Sequence, residues 1–283
     1  MRRCAVLLAL IALAVAASEL GASARALGSA AGVRAAARGR VEPVVVIVME
    51  NHDYGQIVGN DNAPYLNNRF IPAGRLFTNY DAIDHPSLPN YLAMTSGTTS
   101  GCSSDGCDVQ SFRTNNIFHQ LAQAGRSWRT YAEDMPSRCA LDDSGRYVVH
   151  HNPPPYYRDL MGRPCRRFDR PYPSPIPSRL ADFTFVVPNN CHNMHDCSVA
   201  EGDRWLRHHV RAFLRRGAIV VITFDEDSGS SSNHVFTAVV GPGIAAGSTR
   251  KAHFTHYGLL SGIEAHFNLH RLHHARDARM LQL

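Results

Sequence analysis

The run VVVIV at positions 44–48 constrains this chain more than any other stretch. Consecutive β-branched residues are stiff at χ1 and crowd a helix, but they pack well on a pleated surface. An apolar run without alternation reads as a strand buried on both faces, as in a parallel sheet covered by helices. Pro43 marks its start, and Glu50 and Asn51 follow Met49 at its end. In open α/β sheets ligands bind just beyond the carboxyl ends of the strands. A carboxylate beside an amide oxygen at that edge suits a hard cation.

The rest of the chain alternates in the same way. Strand-like segments are expected at 76–80, 127–132, 183–187, 218–224 and 236–240. Helical patterns are expected at 63–70, 117–125, 199–216 and 256–267. Residues 84–91 read as a loop, with a helix beginning at 92–94. Alternation of this kind predicts an α/β fold, a three-layer α/β/α sandwich around a mostly parallel central sheet. Residues 134–179 are rich in Pro, Arg and Tyr without periodicity, and are expected to form an irregular cap or insert over the site.

The N-terminus carries Arg2 and Arg3 ahead of an apolar stretch at 5–17, too short for a comfortable membrane span. Residues 1–24 are expected to be a signal peptide cut after Ala24. Small residues at Ala14 and Ala16 offer a second cleavage point, and an uncleaved anchor is the alternative. Residues 25–42 read as a flexible N-terminus, 43–270 as the catalytic domain and 271–283 as a solvated C-terminal tail. The protein is therefore expected outside the cytoplasm, secreted or periplasmic. Beyond the signal, Cys102, Cys107, Cys139, Cys165, Cys191 and Cys197 remain, an even number that suits disulfides in an exported chain. Local pairing, 102–107, 139–165 and 191–197, is the simplest connectivity. No CxxC pair supports a zinc site.

A net charge of +5 with 16 histidines weakly favours anionic substrates. No basic run of the nucleic-acid-binding type is present, and no basic amphipathic helix commits the chain to stable membrane insertion. A monomer is expected.

Four apolar-to-polar junctions could carry chemistry. They are Glu50-Asn51; His85-Pro86-Ser87-Leu88-Pro89-Asn90-Tyr91; the segment after Val187, which includes His195-Asp196; and Asp225-Glu226-Asp227. Each has a bland counterpart. Acidic residues after strands cap helices and solvate turns, a serine between prolines shapes a turn, and His beside Asp forms surface pairs. Parallel strands would bring all four junctions to one sheet edge.

In this order, VVVIVMENHDYGQIVGN, HPSLPNYLAMTSG, VVPNNCHNMHD, VVITFDEDSG and HYGLLSGIEAHF resemble the phosphoesterase family of secreted bacterial acid phosphatases and phospholipases C, within the alkaline-phosphatase-like superfamily. The likeness is greatest to the short secreted acid phosphatases of the SapM type, which act on phosphoinositides. The resemblance implies one divalent metal ion held by Glu50, Asn51, Ser87, Asp225 and Glu226, with Asp227 less certain. It implies Ser87 as nucleophile and His195, Asp196 and His256 as active-site groups, with His85 a lesser neighbour. An all-oxygen donor set favours calcium, magnesium or manganese over zinc. The implied function is a metal-dependent phosphomonoesterase acting through a phosphoserine on a phosphorylated small molecule or a phospholipid. A phospholipase C-type phosphodiesterase, or a non-catalytic exported anion- or metal-binding module, are the alternatives.

Overall fold

The computed structural model describes residues 41–230 and 232–283. The expected signal peptide, and all of the expected flexible N-terminus except Val41 and Glu42, lie outside the described residues. Strand β1 (Val44–Met49) stands in the middle of the main sheet, and all of it is buried. It pairs in parallel with β6 (Phe183–Val187) on one side and with β7 (Ile219–Phe224) on the other. This is why its sequence is apolar without alternation: each face is packed and each edge is paired.

The sheet continues outward from β6 through β4 (Trp128–Ala132) to β5 (Asp169–Pro171). On the other flank it runs from β7 through β8 (Thr237–Val240) and β2 (Arg75–Phe77) to β9 (Ser248–Arg250). Among the described strands of this sheet, only β8 runs against its neighbours. The expected strand at 76–80 divides in two. The chain leaves the sheet at Thr78, whose N–H donates to the Arg250 carbonyl, and Tyr80–Asp81 (β3) pairs instead with Phe254–Thr255 (β10).

Four longer helices flank the sheet: α1 (Ser87–Ser96), α2 (Ile117–Gln123), α3 (Val199–Leu214) and α4 (His256–His266). The 63–70 pattern resolves into a π-helical turn, Leu66–Phe70, that continues through Ile71–Ala73. Helix α1 begins at Ser87, earlier than its sequence pattern indicates. Pro89 falls in the first turn, where a missing N–H breaks no helical bond. All ten residues of α1 are buried.

The C-terminal segment is docked rather than solvated. Leu272, Ala275 and Leu281 are buried, and the Leu281 N–H donates to the Gly258 carbonyl at 2.9 Å. Two glycines make the approach possible. A Cβ at Gly262 would lie 2.1 Å from the Leu281 carbonyl oxygen, and one at Gly97, which caps α1 with φ 76°, would lie 2.5 Å from that of Leu272.

The stretch 134–179 is a packed cap. It buries Tyr147, Tyr156 and Tyr157, contains a short helix (Arg163–Phe168), and supplies β5 to the sheet. Its ends are tied by Cys139–Cys165, and Cys102–Cys107 and Cys191–Cys197 complete the local pairing. Asp169 is fully buried in this cap, with Oδ2 accepting from Asn152 Nδ2 at 2.9 Å. Burial pushes its carboxyl from 3.8 up to about 8. A raised carboxyl leaves stability intact below its unfolded value and removes it as pH rises through the folded one. The fold should therefore lose several kcal/mol between about pH 4 and pH 8 on this account, at about 1.4 kcal/mol per unit. Asp169→Asn is expected to flatten that part of the profile in denaturant titrations. Parallel pH profiles for wild type and variant would reject this origin.

Candidate active site

The strand register builds the site. Met49 lies opposite Phe224, so Glu50 and Asp225 leave adjacent strands side by side, and the Asp225 N–H donates to the Met49 carbonyl at 3.0 Å. Asn51 turns off β1 with φ 49°, a left-handed conformation that asparagine tolerates. That turn sets its N–H 3.4 Å from Asp225 Oδ1.

Ser87 is the first residue of α1 and is almost wholly buried. Its Oγ lies 3.2 Å from Glu50 Oε2 and 3.1 Å from Glu226 Oε1. A helix N-terminus favours negative charge, so an anionic oxygen at Ser87 is stabilised by α1 itself. One turn further on, the Tyr91 hydroxyl donates to Glu50 Oε1. Asn90 fixes the loop before the serine: its Oδ1 accepts from Ile83 and Asp84 N–H, and its Nδ2 donates to the Asp84 and Pro86 carbonyls. Sequence reasoning assigns no role to Asn90 or Tyr91, although their place three and four residues after Ser87 puts them on the same helical face.

Three carboxylates thus share one dry corner. Burial and then the nearby Asp225 hold the Glu50 carboxyl well above its ordinary value. Burial and then Glu226 push Asp225 up to about 8. Burial also raises Glu226, against the opposing effect of His85. Such crowding favours protonation unless a cation is present. Two buried oxygens, Asn51 Oδ1 and Asp225 Oδ2, have no hydrogen-bond partner among the described residues. Carboxylate, amide and hydroxyl oxygens with spare lone pairs fit a hard divalent cation. Asp227 shapes its own loop, where its Oδ1 accepts from the Gly229 and Ser230 N–H groups, both at 2.8 Å, and it also lies 3.5 Å from His85 Nε2 on the cleft wall. A cleft of about 510 Å³ lined by Asn51, His85, Pro86 and Glu226 opens beside the carboxylates.

The histidines divide by environment. His85, on the cleft rim, holds Glu226 Oε2 through Nδ1; burial opposes its charge, but this bond and the neighbouring acids raise its pKa overall. His195 bonds Asp196 through Nδ1 at 2.7 Å, and both are exposed, at 37% and 57%. His256 is buried: its Nε2–H donates to the Asp225 carbonyl at 2.6 Å and its Nδ1 accepts from Tyr80 at 3.0 Å. Burial lowers its pKa to about 4, in keeping with this neutral tautomer.

His151, from the cap, is not singled out by sequence reasoning. It stacks on Tyr91, its Nε2 stands 3.4 Å from Glu50 Oε2, and its ring centroid is 6.1 Å from that of His195. Neither ring nitrogen has a hydrogen-bonded partner among the described residues, and burial, then His150 and His195, hold it neutral. The sequence signal is a His-Asn-Pro-Pro run inside a stretch without periodicity, and only the fold carries it to Glu50.

A serine at a helix N-terminus, flanked by carboxylates at the carboxyl edge of a parallel sheet, is the arrangement of an ester-cleaving α/β hydrolytic site. The chain belongs to the Phosphoesterase family, whose model matches residues 66–270. It is 32% identical over 257 residues to a phosphatidylinositol-3-phosphatase of Mycobacterium tuberculosis, covering 87% of this chain and 84% of the relative. It is 29% identical over 245 residues to the phosphate-repressible acid phosphatase of Penicillium chrysogenum, covering 80% of this chain and 58% of that protein. In fold it matches an alkaline phosphatase superfamily protein from Vibrio parahaemolyticus, with a TM-score of 0.55, 11% identity, and coverage of 82% of this chain and 67% of that one. Murine ectonucleotide pyrophosphatase / phosphodiesterase 5 gives a TM-score of 0.55 at 10% identity, covering 82% and 96%.

Proposed function

We propose that the protein is a metal-dependent phosphomonoesterase that works outside the cytoplasm as a monomer, through a phosphoserine at Ser87. The observation that carries this reading is the Ser87 hydroxyl held between Glu50 and Glu226 at the start of α1. Glu50, Asn51, Asp225, Glu226 and Ser87 would hold one calcium, magnesium or manganese ion. When bound, that ion favours the ionised serine and offsets charge on the phosphoryl oxygens.

Ser87 Oγ attacks phosphorus in line with the departing ester oxygen, and the P–O bond to the alcohol breaks as the Ser87 O–P bond forms. His195, held by Asp196 at Nδ1, offers its other nitrogen to protonate the leaving oxygen and then to accept a proton from the attacking water. His85, bonded to Glu226 through Nδ1, faces the cleft that would take the phosphoryl group. His151 walls the site with a neutral ring. His256 acts as a positioning residue, fixing the Asp225 backbone. The relatives named as acid phosphatases and as a phosphatidylinositol-3-phosphatase support a monoester, with phosphoinositides among the substrates.

The test sets a soluble phosphomonoester against a phosphatidylcholine diester, each with chelator and with metal restored. Monoester hydrolysis is expected, abolished by chelator and recovered with a divalent cation. Hydrolysis of the diester alone would replace this reading with the phospholipase C one.

A further inference from the structure

Helix α3 presents a line of arginines that the catalytic reading does not use. Arg204, Arg207, Arg211 and Arg215 recur at spacings of three and four, so they share one helical face, and all are exposed. Arg69 faces them from the π-helical turn. That arrangement is built rather than incidental. The buried Asp203 carboxylate on α3 accepts the N–H groups of Tyr65 and Leu66, both at 2.9 Å, which docks the turn on the helix.

The result is two adjoining grooves of about 530 and 610 Å³ that share Tyr65, Arg69 and Arg207. The second has Arg211 and Arg215 on its bank and Phe70, Leu214 and Val240 among its apolar lining. Among the described residues Arg204 pairs with Glu201, whereas Arg69, Arg207, Arg211 and Arg215 have no carboxylate within ion-pair distance. Asp61 and Asp203 line the first groove, yet four cations on one face with no carboxylate in contact leave a net positive surface that suits an anionic partner.

We propose that this face docks on an anionic phospholipid bilayer. Clustered arginines over an amphipathic helix are the recognised footprint of such surfaces. Guanidinium groups suit phosphate and carboxylate headgroups because they donate in a fixed fork. The apolar side of α3, with Leu206, Val210 and Phe213, is buried in the core, so the contact is electrostatic and does not insert a helix. Helix α3 runs back from the end of β6 toward the start of β7, so Arg211, Arg215 and Val240 gather toward the amino edge of the sheet, away from Glu50 and Ser87.

The experiment is co-sedimentation of the full chain with phosphatidylcholine vesicles, with and without phosphatidylserine, across a salt series. Binding is expected only with the anionic lipid, and it should weaken steeply as salt rises. Arg69, Arg207, Arg211 and Arg215 changed together to Gln should lower the partition coefficient at least about tenfold. The same four changed to Lys should keep most of it. Hydrolysis of a soluble phosphomonoester should be unchanged in both variants, which separates docking from catalysis and shows that both fold. Equal binding to neutral vesicles, or undiminished binding by the Gln variant, overturns the proposal. Binding to soluble polyphosphate without binding to vesicles also overturns it, by assigning the face to a polymer.

Discussion

Replacing Ser87 by alanine is expected to lower phosphomonoester turnover by at least about three orders of magnitude while the protein stays folded. Its hydroxyl sits between two carboxylates at a helix N-terminus, where an oxygen can ionise and form an ester with phosphorus. Its removal takes away the nucleophile and the favourable site for its charge together. The fold should hold because α1 is anchored by buried side chains along its length and by Asn90, which fixes the preceding loop without help from Ser87. Alanine is also a good helix former. The Glu50 carboxylate keeps its bond from Tyr91, and Glu226 keeps His85. Rapid acid quenching of the wild type during turnover, followed by peptide mass analysis, should find phosphate on Ser87 and none in the variant. Unchanged turnover by Ser87→Ala would remove the phosphoserine route. A protein with no phosphatase activity in either form would favour the exported binding module.

The central strand was legible because its reason is local. Five β-branched residues in a row suit burial on both faces, and the same pattern marked 183–187 and 218–224 as strands, although their places on either side of β1 came only from the fold. The corner formed by Glu50, Ser87, Asp225 and Glu226 was legible because sheet register converts strand ends into neighbours. The reversed direction of β8 was not, since a short apolar strand carries no sign of its direction. His151 was hidden for a different reason. Its position depends on the cap folding back, and that rests on tertiary features such as the Cys139–Cys165 bond and the buried tyrosines rather than on periodicity. The docked C-terminus was hidden because its histidines and arginines outnumber the few apolar anchors that matter. Gly258 and Gly262 carry its signal on another element.

Glu50→Gln is expected to uncouple the metal from stability as well as from activity. In wild type, a divalent cation binding the folded state alone raises stability by RT ln(1 + [L]/Kd), or about 2.7 kcal/mol at a hundredfold excess over Kd. The variant should lose most of that increment, together with at least about a hundredfold in turnover. The metal-free proteins should rank the other way. Glu50 is fully buried beside Asp225, and its raised carboxyl opposes folding once the unfolded chain ionises above the ordinary value of 4.5. Glutamine keeps the volume and an oxygen for Tyr91 while removing that charge. Without metal, the variant should therefore melt above wild type at neutral pH, with the gap closing as pH falls toward 4.5. With metal, wild type should melt above the variant. Melting curves with chelator and with saturating cation read both orders directly. A cation that raises the melting temperature of both proteins equally would place the metal elsewhere in the molecule. A metal-free variant less stable than metal-free wild type at neutral pH would mean that the carboxylate is stabilising without the ion.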